Sequence, residues 1–150
     1  DPTMHTSRLS PGTRRFTRLL IVVLAVIGLA ASCTDEQFEV MLHVNASRDA
    51  AGRSDLNWDE DLGRKAQAWA EHLARQGYLS HSNLSDGAPA GWQRLGENVG
   101  YGPSIASVHQ GYMNSSGHRA NILDSRFNFI GVGYAKSGSR VYTVQVFMKR

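Results

Sequence analysis

The chain has 150 residues, room for one domain of ordinary size. It carries 16 Lys and Arg against 13 Asp and Glu. Arg8, Arg14, Arg15, Arg18 and Asp1 fall within the first 32 residues, so the remainder balances at 12 basic and 12 acidic residues, which excludes the electrostatic footprint of a nucleic-acid binder.

Arg14, Arg15 and Arg18 precede an unbroken apolar run over residues 19–31, and the small residues Ala30, Ala31 and Ser32 lead to Cys33. A positive end, an apolar middle and a small-residue exit are the grammar of a secretory signal, expected here over residues 1–32 with Met4 available as the true start. The run has 13 residues, where a spanning helix needs about 20. An uncleaved membrane anchor is the other reading of the same segment. Cys33 is the sole cysteine, so no intrachain disulfide can form. It stands where the signal would be cut, the place of the acylated cysteine of a bacterial lipoprotein, although Ala30 occupies the position usually held by Leu. The second reading is an ordinary thiol beside an ordinary cleavage site. Either way the expectation is a secreted protein or one lipid-anchored at the cell envelope, touching a membrane only through its signal or lipid.

Thr34 and Gln37 form a capping box that predicts a first helix, with Phe38, Met41, Leu42 and Asn45 on its apolar face. Gly52 and the turn-prone Arg53, Ser54 and Asp55 end it. Asp59 caps a second helix whose Glu60 and Asp61 complement the helix dipole. Its stripe is Leu62, Ala66, Trp69, Ala70 and Leu73, and Gly77 stops it. Residues 81–102 read as loop, rich in Ser, Asn, Asp, Pro and Gly, with a short strand at residues 97–100. A third helix is predicted over residues 104–114, with Ile105, Val108 and Tyr112 inward. A loop then leads to two strands, one alternating Ile130, Val132 and Tyr134, the other Tyr142, Val144 and Val146, joined by a turn at residues 136–140. Helices first and a hairpin last predict an α+β fold, one domain over residues 33–150.

Three segments resemble the CAP superfamily, the fold of cysteine-rich secretory and plant pathogenesis-related proteins. The first runs from Leu56, Asn57, Trp58 and Asp59 through Ala66, Gln67, Ala68, Trp69 and Ala70 to Leu79, Ser80, His81 and Ser82. The second is Gly96, Glu97, Asn98 and Val99. The third is Tyr112 to Leu123 (YMNSSGHRANIL), followed by Ile130, Gly131, Val132 and Gly133. The pattern is most similar to the secreted, disulfide-free bacterial branch. The resemblance implies a three-layer α-β-α sandwich around a central antiparallel sheet. It also implies a cleft with a tetrad of two histidines and two acids. Position by position these are His81, His118 and Glu97, with Ser115 standing in place of the second acid, three residues after the aromatic Tyr112. Lipid and sterol binding by some relatives makes a small apolar ligand one expected partner, beside a cell-wall component or a protein.

Read as residues alone, His81, Glu97 and His118 leave three roles open. Two imidazoles and a carboxylate are good zinc ligands with a position left for water. They can equally form a hydrogen-bonded network that ties loops to the sheet. Catalysis would need a metal-activated water with Glu97 as base, because no G-x-S-x-G elbow is present and Ser82 and Ser116 adjoin the histidines only in sequence. Ser82, Asn98 and Asn121 are expected to pin backbone nearby. His43, His72 and His109 are expected as surface or half-buried histidines. Trp92 is the tryptophan nearest the cleft glutamate in sequence. The expected function is a non-catalytic binding module, with a weak metal-dependent, peptidase-like hydrolase and a structural envelope protein as alternatives.

Overall fold

The computed structural model describes residues 33–150. The expectations placed on residues 1–32, the signal and its apolar run, lie outside the described residues. The helices are α1 (Asp35–Ala50), α2 (Glu60–Gln76), α3 (Ile105–Asn114) and α4 (Ser116–Leu123); the strands are β1 (Asn57–Trp58), β2 (Arg94–Gly102), β3 (Phe129–Ser137) and β4 (Arg140–Lys149). They build one four-stranded sheet in the order β1-β3-β4-β2. Strands β3, β4 and β2 are antiparallel, while β1 adds a two-residue edge parallel to β3. That parallel edge departs from the expected all-antiparallel sheet. It follows from the chain entering Asn57 and Trp58 just before the Asp59 cap, in line with Phe129 and Ile130.

Both faces of the sheet are covered. Val40 and Val44 of α1, Ile105, Val108 and Tyr112 of α3, and Ile122 of α4 pack with Ile130, Val132, Val141 and Phe147. Across the sheet, Leu62, Ala66, Ala70 and Leu73 of α2 pack with Val99, Tyr142, Val144, Val146 and Met148. The α+β sandwich expected from the sequence is therefore present. Strand β4 lies between two partners and two helical layers, so its apolar residues are buried on both sides. Its Tyr142, Val144 and Val146 face α2, whereas Ile130, Val132 and Tyr134 of β3 face the other layer. The two alternating sets that sequence brings out thus belong to opposite faces. The hairpin turns on Gly138 at φ +58°, with Ser137 opposite Arg140. A positive φ at the first of two central residues alone is the pattern of a type II′ turn.

The caps form as the sequence predicts. Thr34 accepts from the Gln37 N–H while the Gln37 side chain accepts from the Thr34 N–H. Asp59 caps α2 and Gly77 ends it at φ +80°. The inward face of α1 is different from the expected one. Phe38 and Leu42 are 49% and 51% exposed, and the buried residues are Gln37, Val40, Val44 and Arg48. The reason is polar. Gln37 donates to the Val132 carbonyl of the sheet at 2.9 Å, and Arg48 donates to carbonyls of α4 and its exit. Those bonds turn the helix by a residue relative to its most apolar stripe.

Where α1 meets α3, the rings of His43 and His109 stack at 5.2 Å, and His109 Nε2 lies 2.7 Å from Ser47 Oγ. Burial, and then the neighbouring His43, push the His109 imidazole down to about 4. Glu39 Oε1 lies 4.0 Å from His43 Nε2. The folded pKa lies below the unfolded value, so the unfolded chain binds the proton first as pH falls. Stability is therefore expected to be flat in this group above pH 6.5 and to decline between 6.5 and 4. The residue is only partly buried, so solvent screening limits the loss to about 1–2 kcal/mol. Urea unfolding at pH 7.0, 5.5 and 4.5 measures it, and His109→Gln should remove that part of the slope.

Candidate functional site

Strand β2 is the far edge of the sheet, and it is nine residues long rather than the four read from sequence. Its glycines hide it. Gly96, Gly100 and Gly102 face α3 and α4, where a Cβ at Gly100 would stand 2.8 Å from the Tyr112 ring and one at Gly96 3.0 Å from Phe127. Helix and strand approach closely because no side chain intervenes. Leu95, Glu97 and Val99 alternate onto the α2 side.

Glu97 holds the loop that carries His81. Its side chain is 1% exposed. Its Oε1 lies 2.7 Å from His81 Nδ1 and accepts from the Ser82 backbone N–H at 2.9 Å. The Ser82 hydroxyl donates to Oε2. Three hydrogen bonds on a buried carboxylate fix its position. The loop is tied from below as well. Trp69 Nε1 donates to the Ser80 carbonyl, and Lys65 Nζ donates to the carbonyls of Asn83 and Asp86, each at 2.7 Å. His81 itself is 63% exposed. With Nδ1 turned to Glu97, its Nε2 is the nitrogen left to meet a ligand.

His118 stands on α4, a segment that sequence reasoning left as loop. Its eight residues are short and polar, with Ile122 as their only buried one. The Asn98 side chain pins this helix by donating to the His118 carbonyl at 3.1 Å and to Gln145 Oε1 at 3.0 Å. Asn121 donates to Asn98 Oδ1 and to the Glu97 carbonyl. The His118 ring is half-buried and tilts over the Tyr112 ring at 5.0 Å. Burial, and then the nearby His81, lower its pKa. Tyr112 donates to the Thr143 carbonyl at 2.9 Å, so its hydroxyl is held by the sheet. The structure therefore links His81, Glu97 and Ser82 in one cluster, and His118, Asn98, Asn121 and Gln145 in a second that shares strand β2.

Ser115 links α3 to α4 and makes no side-chain cap bond. It lines, with His118, a groove of about 460 Å³ between β2 and α3. Leu79, Val99, Tyr101 and Val108 make this groove mainly apolar. Sequence reasoning did not assemble that wall; the signal available was the alternation of Val99 with Tyr101 on β2. Trp92 is exposed and lies outside the groove lining. Glu97 stands behind His81, with its oxygens on protein donors. Among the described residues, no group of three or more His, Cys, Asp and Glu side chains is placed to hold a metal ion. Two imidazoles remain as the donors available for one. Cys33 is partly buried, and burial followed by the Glu60 carboxylate raises its thiol pKa.

Comparison with known proteins agrees with this geometry. The family description "CAP: Cysteine-rich secretory protein family" matches residues 41–147. The Uncharacterized protein YkwD of Bacillus subtilis (strain 168) is 35% identical over 114 residues, covering 70% of this chain and 44% of that protein. The Uncharacterized membrane protein YlbC of the same organism is 30% identical over 129 residues, covering 78% of this chain and 35% of that protein. The chain thus spans less than half the length of these curated relatives. Among solved structures, an extracellular protein containing a SCP domain from Bacillus anthracis superposes with a TM-score of 0.66 at 26% identity, covering 77% of this chain and 40% of that one. Among the described residues, no helix is long and apolar enough to cross a membrane.

Proposed function

The chain belongs to the cysteine-rich secretory protein (CAP) family, and on that premise we propose that it is an exported binding module without catalytic activity. It works outside the cell or at the envelope, anchored through its signal or an acylated Cys33 if it is anchored at all. Its ligand is a small molecule with an apolar body, seated along Leu79, Val99, Tyr101 and Val108 with a polar end at His118. A cell-wall component or a protein side chain would present the same chemistry.

The observation that supports this reading is the condition of Glu97. A general base needs a carboxylate open to water or substrate. Glu97 is buried and accepts from His81 and Ser82 instead. Ser115 stands where the family's second acid would be and brings no carboxylate. The site thus has the parts of a structural clamp beside a groove.

A second reading has its own support. A carboxylate on His81 Nδ1 is the outer-shell arrangement that orients a metal-binding imidazole. His81 and His118 would hold a zinc ion weakly, with water completing the coordination and Glu97 acting only through His81. The hydrolase alternative would need that ion to activate a water.

One set of measurements separates these readings. Zinc calorimetry on the chain and on His81→Ala and His118→Ala tests the metal. Fluorescent fatty-acid displacement, beside a Gly111→Leu variant that fills the groove wall, tests the apolar ligand. The binding-module reading expects fatty-acid displacement that Gly111→Leu abolishes, and no turnover of peptide or ester substrates with or without zinc. Zinc-dependent turnover lost in His118→Ala would overturn it.

A further inference from the structure

Arg48 is the one cation of the described domain with almost no surface. It is 1% exposed, at the C-terminal end of α1. Its Nε donates to the Ser54 carbonyl at 2.8 Å, and its Nη1 to the carbonyls of Ile122 at 2.7 Å and Asp124 at 3.0 Å. A guanidinium has five N–H donors. Three are used, and both on Nη2 have no partner among the described residues. No carboxylate pairs with it either: its acceptors are neutral carbonyls. A buried charge is costly unless an opposite charge meets it.

Nη2 is not sealed in. Arg48 lines a recess of about 290 Å³ between residues 52–55 and 125–128. Arg53, Ser54, Asp55, Ser125 and Asn128 also line it. The charges around it are Arg48, Arg53, Asp55, Asp124 and Arg126. Asp124 is already taken by Arg126, through Nε at 2.8 Å and Nη2 at 2.7 Å. Asp55 and the Arg126-bonded Asp124 are thus the acids acting on Arg48, beside the like charge of Arg53. Burial lowers the Arg48 pKa; of the charges near it, Asp124 acts to raise it, Arg53 to lower it and Asp55 to raise it.

We propose that this recess binds a small oxyanion, a carboxylate or a phosphate group, on Arg48 Nη2 with Arg53 at its rim. The recess has the volume for such a group, and Ser54 and Ser125 lie in its wall as further donors. The site is separate from the histidine groove. It is connected to it through α4, because Arg48 holds the Ile122 carbonyl at the opposite end of that helix from His118.

The test uses the full ¹⁵N-labelled chain, titrated separately with acetate and inorganic phosphate at constant ionic strength, with chloride as the control. The expected result is a saturable shift of the Arg48 Nη–H signals and of the amides at residues 52–55 and 125–128. Arg53→Gln should weaken the fitted affinity about threefold, and Asp55→Asn should strengthen it by a similar factor, as for single rim charges in partly screened water. Tighter binding of acetate assigns a carboxylate, and tighter binding of phosphate a phosphate group. Arg48→Lys is too close to the fold to carry the test alone, which is why the rim variants and the Arg48 signals decide it. Shifts that stay linear and match chloride would overturn the proposal, as would saturable shifts that leave the Arg48 Nη–H signals unmoved.

Discussion

Gly133→Val is expected to leave the chain largely unfolded at 25 °C, and Gly133→Ala to cost about 3 kcal/mol or more. A Cβ on Gly133 would stand 2.1 Å from the Ala66 carbonyl oxygen, 2.3 Å from its carbon and 2.6 Å from the Gln67 nitrogen. At Gly131 it would meet the Leu62 carbon at 2.1 Å and the Gly63 nitrogen at 2.2 Å. All of these are backbone atoms of α2, which cannot rotate aside as a side chain can. Relief requires the helix to lift by more than an ångström. That would expose Leu62, Ala66, Ala70 and Leu73, each fully buried now. Small-to-large changes in packed cores cost about 1–3 kcal/mol where side chains can yield, so a clash with helix backbone belongs at or above the top of that range. Gly111→Ala is the control. It sits inside α3 with nothing within 4 Å of its Cβ position, so it should stabilise by up to about 1 kcal/mol. Denaturant midpoints of the three variants decide the matter. A Gly133→Ala loss below about 1 kcal/mol would mean that α2 does not rest on the β3 backbone.

The same glycines explain what could be read from the sequence. Helix α2 was legible because it has a polar cap, a regular apolar stripe and a stop, and α3 from its inward Ile105, Val108 and Tyr112. The hairpin was legible from alternation around Gly138. What escaped was structure held by polar contacts rather than by hydrophobic pattern. Arg48 looks like a surface residue at the end of a helix, yet it is buried by three carbonyls that lie 6, 74 and 76 residues away in the chain. Gln145 and Thr143 alternate with valines and read as the solvent side of a strand. They are buried because α3 and α4 cover that side, and Asn98 and Tyr112 supply their partners. Strand β2 was shortened to residues 97–100 because Gly96, Gly100 and Gly102 weaken every strand propensity while permitting close helix packing. In the site, the residue types and their positions were legible through the family resemblance, but not the division of labour among them. Nothing in the spacing of His81, Ser82 and Glu97 says that the carboxylate binds the loop so completely.

That division of labour leads to the other large effect. Glu97→Ala is expected to cost about 3 kcal/mol, because three hydrogen bonds to a buried charge are lost together and Ser82 N–H loses its acceptor. Glu97→Gln should cost less, about 1–2 kcal/mol. Its amide oxygen can still accept, but its NH₂ must face either His81 or Ser82, and the Ser82 hydroxyl can turn to accept from it. Ser82→Ala removes only the hydroxyl bond and should cost about 1 kcal/mol. Stability alone would not distinguish a clamp from any other buried acid, so the second readout is the loop. Amide exchange at residues 80–86 should rise in Glu97→Ala well beyond the rise at β4, because Trp69 and Lys65 hold that loop from α2 while, among the described residues, its hydrogen bonds to the sheet edge are those to Glu97. If zinc binds the two histidines, Glu97→Gln should also weaken it about 10–100-fold, the usual effect of losing an outer-shell carboxylate. Uniform exchange across the domain, with a stability loss no larger than that of Ser82→Ala, would mean that Glu97 is not the clamp. Its carboxylate would then be available for chemistry, and the hydrolase alternative would regain its base.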